Sequence, residues 1–149
     1  MKNTLAVLIS ALVFFVIFVA LSYLINVVGF AEAHAQIRFF RNDDDPLGSY
    51  LSLSITTAVW SLLIAFAYYK LQPHIKGTSS ALKGLKYGAW VFLFFIWQQE
   101  VLYFQFVQFN WGILVSALIH MALAFTMGGA AIAVVQEFVG LRVQGAVTE

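Results

Sequence analysis

From Leu5 to Phe30 the chain runs without a single charged side chain. A helix of about 20 such residues is long enough to cross the hydrocarbon of a bilayer. In that solvent every backbone N–H and C=O must be satisfied internally, so a spanning segment is a helix or part of a closed barrel. Barrel strands alternate polar and apolar residues over about ten positions, and this run does not alternate. Three further apolar runs follow. Together they explain why 62% of the 149 residues are hydrophobic and 10% charged, against roughly 25% charged in a soluble domain. The expected fold class is all-α: a polytopic integral membrane protein built as a four-helix bundle in one domain, residues 1–149.

The first span is expected over about residues 5–30. Ala31-Glu32-Ala33 and Ala33-His34-Ala35 both resemble signal-cleavage sites. The apolar run before them is longer than the 7–15 residues of a signal core, so an uncleaved helix is expected. An outer loop follows over residues 31–45, in which His34, Arg38, Arg41 and Asp45 recur at helical spacing. His34, Arg38 and Arg41 are the candidate contacts to the outer lipid surface, with the two arginines offering paired donors to phosphate. Asp43-Asp44-Asp45 then precedes Pro46, which reads as a helix start with Asp45 as N-cap. Consecutive carboxylates on a regular backbone do not converge on one ion, so no metal site is expected there.

The second span, residues 46–70, carries Tyr50, Ser54, Thr57, Ser61, Ala65 and Tyr68 as one stripe. Small hydroxyl residues at this spacing permit close helix contact and hydrogen bonds across it. The inner loop, residues 71–85, holds Pro73, Gly77, Ser79 and Ser80, ordinary turn chemistry. A third span covers residues 86–107, Gln108-Phe109-Asn110 forms a tight hairpin, and a fourth span covers residues 111–135 before a cytoplasmic tail, 136–149. The fourth span has a stripe of its own: Gly112, Ser116, His120, Ala124, Gly128 and Ala131.

Inside the apolar run from Ala89 to Phe109 sits Trp97-Gln98-Gln99-Glu100. A carboxyl and two amides in hydrocarbon need partners, and an intramembrane ionisable group is a functional candidate by default. Glu100 lies nine residues before Phe109 and His120 eleven after it, which places both roughly 15 Å from the hairpin, near mid-membrane. Thr57 and Ser116 fall near the same layer. The candidate intramembrane polar layer is therefore Glu100, His120, Gln99, Ser116 and Thr57. Gln98, Gln99 and Glu100 together sweep about 200° of the helix, more than one interior can enclose. Gln98 and Gln105, seven residues apart on one face, are accordingly the candidate helix-association face.

Four helices with an embedded glutamate resemble the small multidrug transporters in architecture. Those carry the glutamate in their first helix and Glu100 lies in the third segment, so no residue role is carried across. The absence of cysteine excludes disulfides and thiolate sites. No two histidines match in depth, so no haem or other cofactor is expected. A net charge of +1 without a basic stripe excludes nucleic acid as a partner class. No nucleophile–base–orienter set is present, which disfavours an enzyme. The function expected first is a non-enzymatic subunit that self-associates or docks within a larger complex of the inner membrane. The alternative is a small proton-coupled transporter or channel using Glu100 and His120.

Lys2, Lys70, Lys76, Lys83, Lys86 and Arg142 would share one side of a four-span chain, and the positive-inside rule makes that side cytoplasmic, with both termini. Because the native chain has no cysteine, single replacements report topology cleanly. On intact cells, an impermeant thiol reagent should label Asn42→Cys and leave Thr78→Cys unlabelled; the reverse pattern overturns the orientation.

Overall fold

The computed structural model describes residues 2–30, 46–97 and 111–145, and these are helical almost throughout. Helix α1 spans Lys2–Ser22 and continues as wider π-helical turns over Tyr23–Gly29, closed by the Phe30 N–H on the Ile25 carbonyl. Helix α2 spans Pro46–Leu71 and ends in a 3-10 turn, Gln72–His74. Helix α3 spans Ser80–Val91 and runs on through π-helical turns at Phe92–Ile96. Helix α4 spans Trp111–Gly145. The outer loop with His34, Arg38, Arg41 and the three aspartates lies outside the described residues, as do Gln98, Gln99, Glu100, Gln105 and the hairpin at Gln108–Asn110.

Among the described residues, three helical stretches are long and apolar enough to cross a membrane: Asn3–Ile25, Ser54–His74 and Trp111–Gly140. Their outward faces are as apolar as their inward ones. Leu12 is 63% exposed, and Leu8, Val16, Ile55, Leu63 and Val134 also point outward. In water such a surface would drive aggregation, whereas in a bilayer it is the solvated face. The chain is thus a membrane protein with transmembrane helices.

Helix α3 starts earlier than the turn-forming residues before it suggest. Ser79, in extended conformation, accepts a hydrogen bond from the Leu82 N–H through its side chain, so the helix begins six residues before the expected span. This capping puts Gly84 inside a helix, four residues before Gly88. Both face α4. A Cβ on Gly88 would collide with the Phe125 carbonyl, and one on Gly84 with the Gly129 carbonyl and, at 2.6 Å, with the Ala133 methyl. Gly-x-x-x-Gly spacing is what lets two helices in lipid approach backbone to backbone. The next glycine round, Gly128, receives the ring of Phe14 from α1.

Helix α4 is therefore the centre of the bundle, with α3 against one face and α1 against another, while α2 packs mainly on α1. The stripe expected on α4 does face inward, since Ser116, His120, Ala124 and Gly128 are buried. Along the stripe of α2, burial rises from Ser54 through the half-buried Thr57 to Ser61. Ser61, Ala65 and Tyr68 are buried, but Ser54 is exposed.

The close α3–α4 contact should tolerate no side chain. Gly88→Ala is expected to destabilise the protein by about 1–3 kcal/mol through overpacking. Gly140→Ala, with open space around the new methyl, should be neutral or stabilising by helix propensity. Thermal unfolding in mild detergent measures both, and equal responses would contradict the contact.

Candidate functional site

Helix interiors in a bilayer hold polar side chains only where they find partners, so the buried polar groups mark where chemistry could occur. The hydroxyls come first. Ser10, Ser61 and Ser116 are each fully buried, and each donates to a carbonyl of its own helix: Val7 at 3.0 Å, Thr57 at 2.7 Å and Ile113 at 2.9 Å. Short side chains reach the preceding turn more readily than a neighbouring helix. Hydrogen bonds between helices were the expectation for the α2 stripe. At Ser61 the structure instead shows a compact residue whose hydroxyl is bonded within its own helix.

Longer side chains cross between helices. Tyr87 of α3 donates its phenolic O–H to the Ile64 carbonyl of α2 at 2.9 Å, and its ring packs edge-on to Tyr68. Gln136 of α4 donates through Nε2 to Ser10 Oγ on α1 at 3.1 Å and to the Ala65 carbonyl on α2 at 3.0 Å. The hydroxyl proton of Ser10 is already given to Val7, so only a donor can meet that oxygen. This orients the amide, and its Oε1 has no hydrogen-bond partner within the described structure. Near the same end Asn3 Nδ2 donates to the Tyr69 hydroxyl at 2.6 Å.

His120 is 4% exposed and meets α1. Its Nε2 lies 3.3 Å from the Phe18 carbonyl, which requires the proton on that nitrogen, and its ring stands edge-on to the Phe18 ring at 4.7 Å. Of the expected polar layer, Ser116 and His120 share one face of α4 a turn apart, and Thr57 stands half-buried on α2. Glu100 and Gln99, and with them the expected pairing of Glu100 with His120, lie outside the described residues. Gln136, expected at the start of the aqueous tail, is a core residue 6% exposed. Its signal in the sequence was helical spacing. Gln136 follows Ala124, Gly128 and Ile132 at four-residue steps, and all three are buried.

Beside His120 lies a cavity of about 200 Å³. Phe14 and Phe18 of α1 and Met121 and Phe125 of α4 form one side; Thr57, Trp60 and Ile64 of α2 and Ile96 of α3 form the other. Phe14, Phe18 and Phe125 contact one another as a ring cluster, with centroids 5.6–6.4 Å apart. Among the described residues α2 and α3 scarcely approach through their backbones, which leaves room for the cavity. The Tyr87–Ile64 bond and the Tyr68–Tyr87 ring pair bridge them at one end. Among the described residues no group of three metal-binding side chains converges.

No family model matches the chain, and no curated protein or solved structure is significantly similar to it.

The Gln136 contacts generate a graded expectation. Gln136→Leu removes two interhelical hydrogen bonds, each worth about 0.6 kcal/mol and at most about 1.7, but also removes the unpartnered Oε1. Gln136→Glu leaves an acceptor against the Ala65 carbonyl and should destabilise more at neutral pH. A protonated carboxyl can donate, so that loss should shrink as pH falls. Unfolding measured across pH checks the order, and a Glu variant as stable as the Leu variant contradicts it.

Proposed function

We propose that this chain is a non-enzymatic subunit of a bacterial-type inner membrane, crossing it four times with both termini in the cytoplasm. It associates with further copies of itself or with other membrane subunits. The observation that supports this reading is the use of the buried polar side chains. Tyr87, Gln136 and His120 all meet backbone carbonyls of neighbouring helices, at Ile64, Ala65 and Phe18. Such bonds tie helices together. A conduction path needs polar groups that face one another or water, and the described residues that line the cavity are, apart from Thr57, rings and apolar chains.

The association face in this proposal is Gln98 with Gln105, and the lipid contacts of the outer loop are Arg38, Arg41 and His34. Amides on a lipid-facing surface gain by meeting a second helix, each contact adding about 0.6 kcal/mol. Replacing Gln98 and Gln105 together with leucine should lower the mass of the species recovered in mild detergent, read by native mass measurement. Unchanged mass would mean this face is not an interface. The unmodified protein in liposomes should also show no pH-driven flux. A flux abolished by Glu100→Gln in a folded protein would replace this reading with proton-coupled transport through Glu100 and His120.

A further inference from the structure

The cavity between α2 and α3 has the form of a binding site for a hydrocarbon chain. Thr57, Trp60 and Ile64 line it at positions i, i+3 and i+7 of one helix, so it extends for about 10 Å along α2. Its volume of about 200 Å³ is below the roughly 300–1,000 Å³ typical of sites for compact organic ligands. The inner wall is Phe14, Phe18, Met121 and Phe125. Among its described lining residues Thr57 is the one with a polar side chain. Cavities lined mainly by rings and aliphatic chains take up apolar guests.

The surroundings name the guest. Trp60, on the rim, is 48% exposed, and the outward residues beside it on α2, Leu62 and Leu63, are exposed as well, as are Leu93 and Phe94 on α3. The mouth thus opens sideways onto the lipid-facing surface, at residues within the Ser54–His74 span. At the other end the Tyr68–Tyr87 pair closes the gap between the two helices. We propose that one acyl chain of a bilayer phospholipid enters between α2 and α3 past Trp60 and lies against Phe18, Met121 and Phe125 as an integral part of the folded bundle. This site does not depend on whether the chain associates with partners.

The test uses the full chain in vesicles of phosphatidylcholine in which one acyl chain carries a diazirine at mid-chain. After irradiation, adducts are mapped by mass spectrometry. Adducts are expected on the inner wall, at Phe18, Met121 or Phe125, as well as on the outward Leu62 and Leu63. Met121→Trp, which fills the cavity, should reduce inner-wall adducts at least fivefold while those at Leu62 and Leu63 persist. Thr57→Leu fills it from the opposite wall with a smaller change and serves if the first variant does not fold. Adducts confined to outward residues in the unmodified protein overturn the proposal, as does undiminished inner-wall labelling in a folded, filled variant. Inner-wall labelling by a diazirine free fatty acid but not by the phospholipid overturns the assigned source. Should neither variant fold, labelling of the unmodified protein decides.

Discussion

The contact between Gly84 and Gly88 of α3 and the backbone of α4 at Phe125 and Gly129 governs the arrangement of the other helices. Within a bilayer the surrounding lipid is as apolar as any leucine, so the hydrophobic effect does not draw helices together; close packing does. The glycines let the two backbones touch, and the adjacent Gly128 gives the next face of α4 to the Phe14 ring. With α3 and α1 both seated on α4, α2 packs mainly against α1. It meets α3 through side chains, chiefly Tyr87 and Tyr68, and the cavity is the space left beyond that bridge. The glycine contact and the cavity are two ends of one packing solution.

Polar groups then divide by reach. Serine hydroxyls at positions 10, 61 and 116 donate to their own helices, and Ser10 also accepts from Gln136. An amide, an imidazole and a phenol, each on a longer stem, cross to neighbouring helices. A helical carbonyl already accepts one bond from its own helix and keeps a second lone pair, so it is an acceptor that every transmembrane helix presents. Gln136 uses this at Ala65, joining α4 to α2, and joins α4 to α1 by donating to the Ser10 hydroxyl oxygen. Such ties fix which helices are neighbours and at what height, which suits a scaffold better than a conductor.

Much of this was legible from residue spacing, and the exceptions have identifiable causes. The stripe through Ser116, His120, Ala124 and Gly128 announced the inward face of α4 because helical period and small size coincide there. Gly84 read as part of a loop because Pro73, Gly77 and Ser79 precede it. Yet Gly84 and Gly88, four apart, were the signal of close approach, and the cap at Ser79 is what makes both helical. Gln136 read as the start of an aqueous tail because a glutamine and a glutamate follow a long apolar run. Its burial depends on Ser10 and Ala65, which lie 126 and 71 residues away in the chain.

By itself the sequence determined that these residues form helices in a membrane. Long uncharged runs have no other way to satisfy their backbone in hydrocarbon, and this holds whatever the neighbours are. Only the tertiary structure decided which faces meet. On helices apolar all round, hydrophobicity does not distinguish inside from outside, so partner choice rests on contacts of a few ångströms at Gly84, Gly88, Gly128 and Gln136. The π-helical turns at Phe92–Ile96 add to this. A π turn holds more residues than an α turn, so a face counted from Gly84 and Gly88 at 3.6 residues per turn does not carry through to Trp97. Residue spacing along one helix records that helix alone, and the register between two helices is a property of the pair.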